Sequence, residues 1–143
     1  MQLPVRRLDP AAHLPTRARD ADAGLDLASV VDLEIGPGER AMVRTGLAVA
    51  IPGGFAGLVL PRSGLASREG LTLANSPGLI DAGYRGEIVC AMVNLDRQRP
   101  VRIERGERIA QLVVVPVAAA EPLWSDELPE SERGAEGFGS TGR

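Results

Sequence analysis

The sequence predicts an all-β fold, a jelly-roll-like double sheet with one short helix and a flexible C-terminal arm. Three observations carry that reading. Apolar and polar residues alternate with period two in several short runs. The 143 residues include 17 Gly and 11 Pro, a density of breakers that suits short strands and tight turns and that long helices do not tolerate. Hydrophobic residues make up 44% of the chain but aromatics only 3%, so one compact core must be built from Val, Leu, Ile and Ala.

Taken in order, Val31, Leu33 and Ile35 alternate with Asp32 and Glu34, and Gly36-Pro37-Gly38 then turns the chain. Leu47, Val49 and Ile51 alternate up to the break at Pro52-Gly53-Gly54. Phe55 to Leu60 is a strand ended by Pro61, and a short helix follows over Ser63 to Glu69, with Ser63 as its cap and Gly70 as its stop. Further strands are expected over Leu71 to Leu73, Glu87 to Leu95, Val101 to Ile103 and Arg108 to Val117, and Asn75 to Glu87 reads as a hairpin with Asp81 and Tyr84 at its tip. Roughly ten short strands at this spacing indicate a sandwich or barrel. After Val117 the alternation stops and Glu, Pro and Ser accumulate. The chain therefore divides into a core, residues 1–117, and an arm, residues 118–143.

The net charge of −3 argues against a large basic surface for nucleic acid. All 16 basic residues are Arg, so an anion site here must use planar guanidinium groups. The single cysteine, Cys90, rules out an internal disulfide and sits in an apolar run, where burial is the simple reading. No apolar stretch approaches the roughly 20 residues of a membrane span, and residues 1–20 lack an apolar signal core. A cytoplasmic protein without membrane partners is expected.

Four polar clusters interrupt the apolar strands. In Asp22-Ala-Gly-Leu-Asp26 two carboxylates flank a Gly; this is either a solvated turn or part of a Mg²⁺ site, since that ion is often held by one or two carboxylates together with substrate phosphates. Pro61-Arg62-Ser63-Gly64 opens the expected helix, where free N–H groups favour phosphate, although an ordinary cap beside a surface Arg has the same pattern. The segment from Asn75 to Glu87 offers Asp81 to orient a water and accept its proton, and Tyr84 to stack on a sugar; the plain alternative is a solvent-facing Asp and a packing Tyr. Gln111, within the apolar run after Arg105-Gly-Glu-Arg108, needs a buried partner or a ligand.

In order, and with Arg133-Gly-Ala-Glu-Gly-Phe138-Gly-Ser-Thr-Gly in the tail, these blocks resemble the trimeric deoxyuridine triphosphatase family from Asp22 to Gly142. The resemblance implies a jelly roll of the β-clip type, a homotrimer whose sites draw on more than one chain, and Mg²⁺-dependent hydrolysis of dUTP to dUMP and pyrophosphate. That activity would keep uracil out of DNA and supply dUMP for thymidylate synthesis. It implies that Asp26 holds the Mg²⁺ shell through water and that Arg62, Ser63, Gly64 and Gln111 contact the phosphates. Asp81 would position the water that attacks the α-phosphorus, and also bond the 3′-hydroxyl. Tyr84 would pack under the sugar and exclude a 2′-hydroxyl, while Asn75 reads the uracil edge. From the tail, Phe138 would cover the base, and Arg133, Gly139, Ser140 and Thr141 would close over the phosphates.

The residue types suit that chemistry, because phosphoryl transfer depends mostly on positioning and charge stabilisation. Exclusion of thymine demands a rigid wall at the base C5, since one methyl in a permissive pocket is worth only about 1–3 kcal/mol. One departure stands out: the family's Gly-Gly before the tail Phe is Glu136-Gly137 here, and Glu136 is expected to point to solvent. Two alternatives are a dCTP deaminase-like enzyme of the same fold and a non-catalytic nucleotide-binding trimer. Both Asp26 and Asp81 argue against pure binding, since a binding site gains nothing from extra carboxylates beside phosphates. His13 is assigned no catalysis, and Trp124, in the arm, is expected to dock against a neighbouring subunit.

Overall fold

The computed structural model describes residues 1–135. These contain eleven strands and one helix: β1 (Val5–Arg7), β2 (Leu25–Ala28), β3 (Leu33–Ile35), β4 (Arg40–Arg44), β5 (Leu47–Val49), β6 (Phe55–Pro61), α1 (Ser63–Glu69), β7 (Leu71–Leu73), β8 (Gly78–Ile80), β9 (Val89–Asn94), β10 (Val101–Ile103) and β11 (Arg108–Pro116). All pairings are antiparallel. The larger sheet has the order β2-β11-β6-β8, a second has the order β4-β9-β7, and the pairs β1-β5 and β3-β10 complete the double-layered jelly roll.

β11 organises the larger sheet because its long Val-rich run accepts partners on both edges, β2 on one and β6 on the other. Inward side chains of the two sheets meet in one cluster. Leu27, Val59, Ile80, Ile109 and Leu112 come from the larger sheet, and Val43, Leu71, Leu73, Cys90 and Met92 from the second. Among the described residues no aromatic ring lies in that buried cluster, and Phe55 packs against it from a partly buried position. Asn94, fully buried at the end of β9, is the polar hub. Its amide nitrogen donates to the carbonyls of Ile35 (3.0 Å) and Arg99 (2.9 Å), and its Oδ1 accepts the Asp96 N–H (2.9 Å). One side chain thereby ties β3, β9 and the β9–β10 turn together.

The helix occupies the expected residues and ends on Gly70 in the left-handed region (φ 68°), whose N–H returns to the Ala66 carbonyl. Its start differs from expectation. The cap position is Arg62, in extended backbone with no side-chain cap bond, so Ser63 is the first helical residue and not the cap. The segment from Asn75 to Glu87 is not a hairpin. β8 pairs only with β6, while β9 pairs with β4 and β7, so residues 81–88 carry the chain from one sheet to the other. Val31 and Ile51 lie just outside strands, and β1 and β4 were not expected. β4 hides from pattern reading because only Val43 is buried while its neighbour Met42 is 68% exposed.

β11 ends at Pro116, and residues 117–135 contain no strand or helix and are exposed throughout. Trp124 is fully exposed there. Among the described residues, no helix is long and apolar enough to cross a membrane.

Candidate active site

Antiparallel pairing places Asp26 on β2 opposite Gln111 on β11, and Gln111 opposite Leu60 on β6. Residues at one register share a face of the sheet, so this row points outward together, and Arg62, two residues beyond Leu60, follows it. The Asp26 carboxylate is clamped by two arginines. Arg62 Nε lies 3.3 Å from Oδ1, and Arg108 Nη1 donates to Oδ2 at 3.0 Å. Arg62 also donates to the Arg108 carbonyl (3.1 Å), and Gln111 Nε2 donates to the Pro61 carbonyl (3.0 Å). Gln111 therefore has the partner its partly buried amide requires, and its Oε1 lies against Gly24.

Asp26, Leu60, Arg62 and Gln111, with Ser63 and Gly64, line an open cleft of about 540 Å³. Asp22 borders it too, and its carboxylate accepts the Arg19 N–H (3.0 Å) in a turn. Arg68 is a wall residue that pattern reading missed. Its guanidinium folds back over Gly64, where a Cβ would lie 3.0 Å from Nη1. The signal was available, since Gly64 and Arg68 are four apart on a helix. Arg108 gave no such signal, because a register shift between Arg108 and Ala110 sets its position.

Asn75 and Tyr84 line a separate, smaller pocket of about 130 Å³, with Val59, Gly78, Ile80 and Cys90 around it. The Ser76-Pro77 bond leading into β8 is cis. The Cys90 thiol is pushed up to about 12 by burial and is held neutral at the back of this pocket. Asp81, immediately after β8, is exposed and lines neither pocket, and its carbonyl accepts the Tyr84 N–H at 3.0 Å.

The two pockets belong to opposite faces of one sheet. Val59 and Leu60 are consecutive on β6, so their side chains point apart, Val59 to the smaller pocket and Leu60 to the cleft. Within one chain, Asp26, Arg62, Ser63, Gly64 and Gln111 come together, and so do Asn75 and Tyr84, but the two groups do not meet. Arg133 lies in the exposed stretch before residue 136. Glu136, Phe138, Gly139, Ser140 and Thr141 lie outside the described residues.

The donor set can be tested against a Mg²⁺ ion. Among the described residues no three His, Cys, Asp or Glu side chains gather as a metal cage. Both Asp26 oxygens already face guanidinium groups. A single carboxylate so engaged fits a hydrated ion carried in by phosphates and touched through water, which is a common mode for Mg²⁺.

A family model described as dUTPase matches residues 10–142. The deoxyuridine 5′-triphosphate nucleotidohydrolase of Mycobacterium leprae is 57% identical, across 98% of this chain and 94% of the relative. That of Thermobifida fusca is 54% identical, across 99% of this chain and 79% of the relative. Among solved structures, the Staphylococcus bacteriophage 80alpha dUTPase with dUpNHpp superposes with a TM-score of 0.92 at 36% identity, covering 99% of both chains. A mutant dUTPase from phage phi11 of S. aureus, described with a structural Mg(II) ion, gives 0.84 at 31% identity, covering 91% of this chain and 100% of the other.

Proposed function

This chain belongs to the dUTPase family and is an enzyme of dUTP hydrolysis; from that premise we propose how its residues divide the reaction. The observation that carries the proposal is the Asp26–Gln111–Leu60 row, with Arg62 and Arg68 around it, set on the opposite sheet face from the pocket of Asn75 and Tyr84. The first group is a phosphate half-site and the second a nucleoside half-site. Because one chain holds them back to back, a working site takes one half from each of two neighbouring copies. A homotrimeric ring supplies that pairing three times over.

In the phosphate half, Arg62, Ser63, Gly64 and the amide of Gln111 hold the triphosphate, with Arg68 adding charge. Asp26, oriented by Arg62 and Arg108, would hold a Mg²⁺ ion through water. When bound, that ion supplies neutralisation of charge on the phosphate oxygens. In the nucleoside half, Asn75 and neighbouring backbone read the uracil edge and Tyr84 packs against the deoxyribose. Asp81 bonds the 3′-hydroxyl, holds a water in line with the α-phosphorus and accepts its proton. The water oxygen forms the new P–O bond, the α–β bridging bond breaks, and pyrophosphate leaves with the bonding pair.

The stretch after Val117 acts as an arm that brings Arg133, Phe138, Gly139, Ser140 and Thr141 over the substrate and excludes water. The enzyme works on the cytoplasmic nucleotide pool. The test is pyrophosphate release with Mg²⁺ from dUTP, dTTP, dCTP and UTP side by side. Release from dUTP alone is expected. Ammonia from dCTP would restore the deaminase alternative, and folded protein that turns over none of the four would leave only nucleotide binding.

A further inference from the structure

Tyr84 is 46% exposed, and an exposed ring ordinarily samples several rotamers. Here three features hold it. Its hydroxyl donates to the Glu87 carbonyl at 2.9 Å. Its ring lies directly across Gly86, where a Cβ would stand 2.6 Å from Cζ and would overlap the phenolic oxygen. Gly86 has no positive φ, so it is needed at this position for space and not for backbone conformation. The third feature lies outside the segment. The Glu87 carboxylate accepts the Gly46 N–H (2.8 Å) and Arg44 Nε (3.1 Å), while the Ile88 N–H donates to the Leu47 carbonyl (2.7 Å) and the Ile88 carbonyl accepts the Thr45 hydroxyl (2.6 Å). The peptide that receives the Tyr84 hydroxyl is thus pinned on both sides to the β4–β5 turn. Gly46 cannot drift, since it has φ +66° and a Cβ there would lie 2.6 Å from Asp9 Cβ.

We infer that Gly86 and Glu87 are specificity-determining positioning residues. Gly86 provides the bed and Glu87 the anchor that fix the Tyr84 ring as a rigid wall, and that rigidity makes the enzyme reject ribonucleotides. The inference rests on the reading of Tyr84 as the sugar-facing residue. The physical need is plain. A wall that swings aside accommodates one extra hydroxyl at little cost, whereas a wall fixed at both ends turns the same atom into a clash.

The test compares kcat and KM for dUTP and UTP in wild type, Gly86→Ala, Glu87→Ala, Glu87→Gln and Tyr84→Ala. Thermal unfolding and a ring-labelled tyrosine resonance accompany the kinetics; Tyr84 is the only tyrosine, so that signal is unambiguous. Gly86→Ala and Glu87→Ala are expected to lower the dUTP-over-UTP preference in kcat/KM about tenfold or more, chiefly by lowering KM for UTP, and to move the ring resonance. Glu87→Gln keeps an acceptor for Gly46 and is expected to retain most of the preference. If Gly86→Ala does not fold, the Glu87 pair still decides. Preference unchanged in Glu87→Ala, alongside a loss in Tyr84→Ala, overturns the anchoring role and leaves the reading of Tyr84 intact. Preference unchanged in Tyr84→Ala overturns that reading itself.

Discussion

Gly24 and Gln111 face each other so closely that a Cβ on Gly24 would overlap the Gln111 Oε1 and come within 3.1 Å of Cδ. The glycine between the two carboxylates of the Asp22–Asp26 segment therefore leaves the side-chain amide of the next strand room to turn into the cleft. Gly24→Ala is expected to displace Gln111 from the Pro61 carbonyl and raise KM for dUTP about tenfold with little change in Tm. Steady-state kinetics beside a thermal scan check this, and an unaltered KM would remove Gln111 from phosphate binding.

The Asp26 carboxylate is shared between Arg62 and Arg108. Asp26→Asn leaves Arg62 and Arg108 without their shared carboxylate. It is expected to cost about 10–100-fold in kcat/KM and to shift the Mg²⁺ concentration needed for half-maximal rate upward. A Mg²⁺ titration of the variant reads both; loss of rate at an unchanged Mg²⁺ requirement would confine Asp26 to ordering the arginines.

Asp81→Asn is expected to bind a non-hydrolysable dUTP analogue near wild-type affinity while losing about 10²–10⁴-fold in turnover. Calorimetric titration and pyrophosphate release separate the two effects, and unchanged turnover excludes Asp81 as the base.

Removing residues after Glu130 is expected to abolish turnover while leaving the midpoint of unfolding within a few degrees, because residues 117–135 bury none of the core. Sedimentation should give the truncated chain the same number of copies per particle as the full-length chain. Dissociation to monomers would move the interface from the core to the arm.

Burial of Cys90 ties stability to alkaline pH. Its folded pKa stands near 12 against 9.0 for an ordinary thiol, so the unfolded chain releases its proton first as pH rises. Any stability that depends on the neutral thiol is complete below pH 9.0 and declines between there and about 12. Denaturation midpoints measured for wild type and Cys90→Ala across that window should converge as pH rises. In the folded protein at neutral pH, the thiol should stay unreactive to a disulfide reagent.

Most of the strands were legible because they are buried on one face. Leu33 and Ile35, Val101 and Ile103, and the long β11 run show the period that burial imposes. β1 and β4 were not, since Arg6, Arg7, Arg40 and Arg44 place charge where pattern reading needs apolar residues. The candidate site residues stand out as types in sequence order, but their grouping does not. That Asp26 meets Arg108 depends on a bulge, and that Asn75 and Tyr84 look away from Arg62 depends on which sheet edge β8 joins. The expected hairpin failed for the same reason: local turn chemistry describes residues 81–86 but says nothing of the partner strand.

The back-to-back placement set by Val59 and Leu60 bears on inheritance as much as on chemistry. When each centre borrows one half from a different copy, damage to one half of a chain leaves its other half usable by a neighbour. A polypeptide carrying Arg62→Gln and another carrying Asp81→Asn, each inert alone, would regain function on co-expression, with about a third of the centres in mixed rings assembled from two sound halves. A cell bearing both alleles would then grow where either single mutant fails.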